Sequence, residues 1–198
     1  MDLDAVAAAK YDRVSAPLER RFLGPHRPWI GERAAGDVLE VAVGTGANLA
    51  HYPAEARLTA IEISPGMLEQ ARRKAAGQGR AVRLVEGDAQ CLPFDDASFD
   101  AVVCTYALCG IPDNRATLAE MVRVLRPGGS LLLADHVSST VAPVRWAQRL
   151  LEAVTIPAHS EHFTRRQLPL VEELGLRVVD SARFHLGAIE RLHAVKPG

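Results

Sequence analysis

The 198-residue sequence has few aromatic side chains, only three cysteines and almost no net charge: Phe, Trp and Tyr make up 5%, and the formal charge at pH 7 is −1. A charge so near balance gives no basic field to hold a nucleic-acid backbone, so no nucleic-acid partner is expected. Cys91, Cys104 and Cys109 form no disulfide framework and contain no CxxC pair for zinc or redox chemistry. They are expected as reduced thiols in or near the core of a cytoplasmic protein. The opening Met1-Asp2-Leu3-Asp4 lacks the basic start and apolar run of a secretory signal. No apolar stretch is long enough to span a bilayer. The expectation is one soluble, cytoplasmic domain over residues 1–198.

What is present is an alternation of strand and helix patterns, with 48% hydrophobic residues, ordinary for a globular α/β protein. Short β-branched runs at Asp37–Val43, Arg57–Ile63, Ala81–Glu86, Ala101–Tyr106 and Ser130–Ala134 read as buried parallel strands. Ser64 is a natural N-cap with Pro65 in the first helical position. Asp113 caps a second helix with an apolar face of Leu118, Met121, Val122 and Leu125, stopped by Pro127-Gly128-Gly129. Strands separated by helices predict a doubly wound, mostly parallel sheet.

The last third changes character. Pro143–Ile156 has helical apolar spacing at Trp146, Leu150 and Val154, with Pro157 ending it. Thr164 with Gln167 reads as a capping box and Phe163 with Leu168 as a hydrophobic staple, though Pro169 resets the start. Leu176–Phe184 and Glu190–Val195 are joined by a link too short for a parallel crossover, which predicts an antiparallel hairpin at one edge.

The most informative run is Val38-Leu39-Glu40-Val41-Ala42-Val43-Gly44-Thr45-Gly46-Ala47-Asn48-Leu49. An apolar strand ends in an acidic residue and breaks into a turn with two close glycines, followed by a short helical pattern. Glycine there supplies positive φ and lets a ligand lie against the backbone. In open α/β sheets such a turn sits outside the carboxyl ends of the strands, where nucleotide-like ligands bind.

Glu40-Val41-Ala42-Val43-Gly44-Thr45-Gly46 resembles the glycine motif of class I S-adenosylmethionine-dependent methyltransferases. Ala60–Ser64, Glu86–Phe94, Ser98–Val102 and Leu125–Gly129 match further motifs in the same order. The closest flavour is the branch with ubiquinone and menaquinone, small phospholipid N- and thiol S-methyltransferases. The resemblance implies a seven-stranded Rossmann-like methyltransferase fold and S-adenosyl-L-methionine as cofactor, released as S-adenosyl-L-homocysteine. It implies that Glu62 accepts the ribose diol and that Asp88 takes the adenine amine beside the Ala89 backbone. Gly44 and Gly46 admit the methionine portion, and Glu40 orients the ammonium or stabilises the loop. Thr105 and Tyr106 lie along the sulfonium end, and Ala42, Asn48, Ile63 and Met67 complete the cofactor set. The family usually has glycine at the place of Ala42. Ala42 is therefore expected to keep a negative φ and to alter packing near the cofactor.

A nicotinamide dinucleotide is the rival cofactor, but its fingerprint wants a third glycine where Leu49 stands. Thr105-Tyr106-Ala107-Leu108 replaces the Asn/Asp-Pro-Pro-aromatic segment of relatives that methylate conjugated amines. Asp135 lacks the partner carboxylates of a metal-assisted site, so no metal is expected. Metal-independent attack by an O, S, C or non-conjugated N atom of a small molecule remains. His136, just past the fifth strand, is the candidate general base, and His159 and His162 lie where a substrate wall forms. Residues 1–35 form an expected helical lid with Leu3, Ala7, Val14, Leu18 and Phe22 at helical spacing and Tyr11 near the sulfonium. Residues 36–137 form the cofactor core and 138–198 the substrate side. Lys10, Arg13, Arg20 and Arg21 make membrane contact by the N-terminal helix a secondary reading. A membrane-surface phospholipid amine or thiol methyltransferase and a catalytically silent cofactor-binding subunit remain as alternatives. The sequence leaves the oligomeric state open.

Overall fold

Successive strand residues send their side chains to opposite faces, and here both faces are covered. Leu39, Val41, Ile61, Val102, Cys104, Leu131 and Leu133 point to one core. Their neighbours Val38, Leu58, Ala60, Ala101, Val103, Leu132 and Ala134 point to the other. The computed structural model describes residues 3–198, and all their side chains except those of 3–7, 9, 158 and 159. The strands are β1 (Asp37–Val41), β2 (Arg57–Glu62), β3 (Val82–Glu86), β4 (Phe99–Thr105), β5 (Leu125–His136), β6 (Arg177–Phe184) and β7 (Ile189–Val195). They form one seven-stranded sheet in the order β3-β2-β1-β4-β5-β7-β6. The first five are parallel, and β7 lies antiparallel between β5 and β6. The mostly parallel sheet with an antiparallel hairpin edge is the one expected from the sequence.

The helices are α1 (Leu3–Leu18), α2 (Arg27–Gly31), α3 (Pro65–Gly77), α4 (Asn114–Val124), α5 (Ala142–His159) and α6 (Gln167–Glu173). On one face α4 and α6 bring Leu118, Met121 and Val171. On the other, α2 and α3 bring Trp29, Ile30, Leu68 and Ala71. Each of the Leu, Ile, Val and Met side chains among them contributes about 1.5–3 kcal/mol on burial. The caps form as read: the Ser64 hydroxyl accepts from Met67 N at 3.1 Å and the Asp113 carboxylate from Ala116 N at 2.9 Å. Each is worth about 1 kcal/mol. Strand order reverses between β1 and β4, and the loop after β1 rises at that switch point, where such sheets hold ligands.

Several local expectations fail for tertiary reasons. Leu125 is the first residue of β5 rather than part of α4, and the strand runs on through Pro127-Gly128-Gly129. After Gly46 there is only a single 3₁₀ turn, Leu49–His51. Pro157 lies inside α5. It removes only the bond to the carbonyl of exposed Ala153, close to the helix end, where water substitutes. The Thr164–Gln167 box does not form, because the Thr164 amide and hydroxyl bind the buried Glu152 carboxylate at 2.7–2.9 Å. α6 starts at Gln167, so Pro169 falls in its first turn, where its missing N–H costs nothing.

Ala42 departs most clearly from expectation. Its φ is +54°, in the left-handed region, and Gly44 and Gly46 follow at +56° and +80°. The chain leaves β1 by this turn while Val43 N keeps a bond to the Ile61 carbonyl at 3.1 Å. An L-residue held there is strained. Ala42→Gly should raise the unfolding free energy by about 1 kcal/mol, the αL penalty less the entropy that glycine loses. Urea unfolding with an unchanged m-value checks it, and a lower midpoint would show that Ala42 is not strained.

Candidate functional site

The carboxyl ends of β1, β2, β4 and β5 each deliver a polar side chain to one edge of the sheet. Glu62, at the end of β2, is buried with both oxygens engaged. Oε2 accepts from Gly44 N at 2.9 Å and Oε1 from Ser64 N at 3.0 Å. One carboxylate thus pins the glycine loop to the start of α3. A carboxylate oxygen has capacity for a second donor, so Glu62 can still accept from a diol. Beside it lies a cavity of about 150 Å³ lined by Ala42, Glu62, Ile63, Asp88, Ala89 and Ile111, among others. Asp88 Oδ1 accepts from Gln90 N at 2.8 Å, and Gln90 Nε2 reaches both carboxylate oxygens at 3.1 Å. Gln90 Oε1 in turn accepts from Asp113 N at 3.1 Å. Glycine spacing serves this edge in two ways. A Cβ at Gly44 would meet nothing within 4 Å, so its backbone is open to a ligand, whereas at Gly46 it would meet Leu49 at 2.7 Å.

A second cluster lies behind the loop. Glu40 Oε1 accepts from Asn48 Nδ2 at 2.8 Å, and the same amide donates to Thr105 Oγ1 at 2.9 Å. Arg27, from α2, donates to Asn48 Oδ1 at 2.7 Å and Thr105 Oγ1 at 3.2 Å. Its other edge makes a two-pronged pair with Glu19, and the guanidinium lies 5.4 Å from the centre of the Tyr106 ring. Burial opposes the charge of Arg27, but the Glu19 bonds and charge outweigh it, so the guanidinium stays firmly protonated. Burial pushes the Glu40 carboxyl up to about 7 against the pull of Asn48, Tyr52 and Arg27. The buried Tyr52 hydroxyl faces the same carboxylate. Glu40 holds the loop through Asn48.

The third cluster closes the far side. Asp135 is buried at the end of β5, its Oδ2 accepting from Cys109 N at 3.0 Å and its Oδ1 from His136 N at 2.7 Å. Burial raises its carboxyl to about 7. The His136 ring sits between Tyr106 and Phe163, with centroids 5.5 and 5.7 Å away. Its Nδ1 is enclosed without a hydrogen-bond partner, 4.0 Å from Asp135 Oδ1. Burial lowers its pKa, so the ring is neutral near pH 7. Donor atoms of Cys109, Asp135 and His136 lie within 4.8 Å of one another. The carboxylate already accepts from two backbone amides and from the Gln167 side-chain amide at 3.4 Å, and burial holds the Cys109 thiol protonated.

The sequence-predicted residues therefore fall into separate groups. Ala42, Glu62, Ile63, Asp88 and Ala89 share the cavity; Glu40, Asn48, Thr105 and Tyr106 gather around Arg27; His136 faces Tyr106. Met67 stands outside the cavity lining and contributes its amide to the Ser64 cap. Tyr11 is half-exposed on α1, within electrostatic reach of Arg27, Cys109 and Glu161. His162 donates its amide to the Cys109 carbonyl, and the side chain of His159 lies outside the described residues, as do those of Leu3 and Ala7. Val14 and Leu18 are exposed, so that part of the apolar spacing does not seat α1. Asp12 does, binding Thr45 Oγ1 in the glycine loop and Lys74 Nζ of α3 at 2.9 Å.

Arg27, Glu19 and Gln90 were not among the predicted residues. The available signal for Arg27 was a cation set in the Pro25-His26-Arg27-Pro28-Trp29-Ile30 segment, where neighbours that bury demand a buried partner. Gln90 and Glu19 carried no such signal.

A family model described as "Methyltransferase domain" matches residues 39–133. The chain is 39% identical over 163 residues to a demethylmenaquinone methyltransferase of Clavibacter sepedonicus, covering 76% of this chain and 66% of that one. It is 30% identical over 199 residues to a ubiquinone/menaquinone biosynthesis C-methyltransferase of Marinomonas sp., covering 94% of this chain and 73% of the relative. The chain spans 66%, 58% and 59% of the length of three curated demethylmenaquinone methyltransferases it matches. A solved SAM-dependent methyltransferase from Thermotoga maritima shares the fold at a TM-score of 0.71 and 22% identity, with 97% of each chain covered. With the glycine loop, the Glu62 clamp and the sheet order in place, these similarities put the chain in the class I S-adenosylmethionine-dependent methyltransferases, in the branch of the ubiquinone/menaquinone C-methyltransferases.

Proposed function

We propose that the chain transfers a methyl group from S-adenosylmethionine to a ring carbon of a small hydroquinone. The observation that carries the acceptor reading is His136: a neutral imidazole with a partnerless, enclosed nitrogen, set between two aromatic rings at the sulfonium end. The names of the relatives support a quinone-type acceptor.

The residues present fit the cofactor. Glu62 retains acceptor capacity for the ribose diol, Asp88 and the Ala89 backbone line the adenine side, and the open backbone at Gly44 admits the methionine portion. The Arg27 guanidinium is the cation at that end for a carboxylate. The bound cofactor supplies a methyl group activated by a sulfonium. What the chain must add is alignment, exclusion of water and removal of a proton. His136, through Nε2 rather than the Nδ1 enclosed beside Asp135, takes the proton from the acceptor hydroxyl, which enriches the adjacent ring carbon as a nucleophile; once methylated, that carbon loses its own proton and the ring regains its aromatic form. Tyr106 and Phe163 hold the imidazole in place by tilted and edge-to-face contacts. Asp135, fixed by the Cys109 and His136 amides, sets the backbone from which His136 projects. α1, tied to the glycine loop by Asp12, covers the site as a lid.

Three outcomes test this reading. Glu62→Ala should weaken S-adenosylmethionine binding by about 1.5–3 kcal/mol in calorimetry, the value of bonds to a charged acceptor; unchanged affinity would remove Glu62 from the cofactor site. His136→Asn should lower kcat on a water-soluble demethylated naphthohydroquinone by about 10²–10⁴-fold. The base works only when neutral, so the wild-type rate should fall as pH drops through a pKa below the usual histidine value, and that acid limb should vanish in the variant. A retained limb would assign the base elsewhere. Asp12→Ala should unhook the lid, reducing turnover while changing cofactor affinity less; loss of affinity with unaltered turnover of bound complex would make α1 a cofactor clamp instead.

A further inference from the structure

α5 is an amphipathic helix turned inside out. Four of its polar side chains face the protein: Arg145 donates to the Ser139 carbonyl, Gln148 to the Val137 and Phe163 carbonyls, Glu152 binds Thr164, and Thr155 donates to the Glu161 carbonyl. Its apolar stripe faces outward, with Trp146 64%, Leu150 71% and Val154 69% exposed, and Leu151 beside them. A helix that only had to coat a sheet in water would carry the opposite pattern, and monomers in water seldom expose so continuous an apolar face.

The patch continues beyond the helix. Exposed Leu186 sits at its start, where the Leu186 carbonyl accepts from the Ser139 and Thr140 hydroxyls. The adjoining His185 ring packs on Phe22, Arg21 lies over the same Phe22 ring at 5.9 Å, and exposed Arg20 precedes it in the chain. Arg149 lies over the Trp146 ring. Among the described residues Arg20, Arg21 and Arg149 make no ion pair with an acidic side chain. The acidic residue of α5, Glu152, is buried, and Glu161 is the exposed acid near its end.

We propose that the outward face of α5, with Leu186 and the rim of Arg20, Arg21 and Arg149, docks on an anionic lipid surface. Apolar residues with a tryptophan on one side and unpaired arginines at the border are what an in-plane membrane helix requires. A second copy of the chain fits less well, because a two-fold contact through this face offers no exposed acid on α5 to meet the arginines. Ser160 to Phe163 leads from the helix to His136, so docking sets the acceptor pocket at the bilayer boundary. The use of that position by a lipophilic acceptor rests on the quinone reading; the docking itself does not.

Binding is therefore measured without acceptor. Of the two tryptophans Trp29 is buried and Trp146 exposed, so a blue shift in emission reports insertion of α5. Phosphatidylcholine vesicles containing phosphatidylglycerol should sediment the full chain and produce that shift, phosphatidylcholine alone much less, and salt should weaken the interaction. Leu150→Gln with Val154→Gln should lower the partition coefficient by about tenfold or more. Arg20→Gln with Arg21→Gln and Arg149→Gln should abolish the preference for anionic vesicles. Both sets should leave calorimetric affinity for S-adenosylmethionine unchanged, which shows that the variants fold. Equal sedimentation of the wild type and the Leu150→Gln, Val154→Gln variant would overturn the proposal. So would a dimer in analytical ultracentrifugation that those substitutions dissociate, with no vesicle binding by the wild type. Failure of the quinone reading, by contrast, would appear only as absent turnover on the soluble acceptor.

Discussion

The guanidinium of Arg27 is the charge around which the site is arranged. Buried cations persist only with their donors engaged, and each bond that engages Arg27 joins a different segment: Glu19 after α1, Asn48 in the loop after β1, Thr105 at the end of β4. Asn48 then passes the constraint on to Glu40. The N-terminal segment, the glycine loop and the sheet edge are held in mutual register by one network of buried polar groups. Removing one partner from a buried pair of this kind costs several times what an exposed pair is worth. A segment outside the sheet thereby helps fix the geometry of the glycine loop.

Set against that rigidity are points of stored strain. Ala42 and Tyr106 both hold positive φ, the first where the chain leaves β1 and the second where it leaves β4. These are the two strands between which the sheet order reverses. The switch point opens the crevice, and the backbone must turn sharply out of the sheet on both sides of it. Tyr106 is kept there by its hydroxyl bond to the Leu23 carbonyl at 3.1 Å and by Arg27 over its ring. Ala42 is kept there by the Val43–Ile61 bond and the Glu62 hold on Gly44.

The chemistry divides along the same edge. The β1–β2–β3 side offers carboxylates and open backbone, suited to hydroxyls, amines and a nucleoside. The β4–β5 side offers rings and a neutral histidine, suited to a planar acceptor. α5 extends that second side outward, where four of its polar residues are consumed in fastening the helix to its own protein and its apolar residues are left for another phase.

The alternation of strands and helices, the hairpin edge, the Ser64 and Asp113 caps and the approach of Glu40, Gly44, Glu62 and Asp88 to one edge are legible in the residues alone. These depend on local turn chemistry and on strand period, which neighbouring residues encode. Tertiary structure decided the rest. The φ of Ala42 followed from a bond to Ile61 on another strand, and the fate of Thr164 from Glu152 twelve residues earlier. Trp146, Leu150 and Val154 have the spacing of a core face, and periodicity fixes that a face exists but not which way it looks. Arg27 gained its place because partners 8, 21 and 78 residues away converge on it. A single chain read in order cannot show such convergence, because hydrogen bonds to a buried charge are chosen by the folded packing and leave no periodic trace in the sequence.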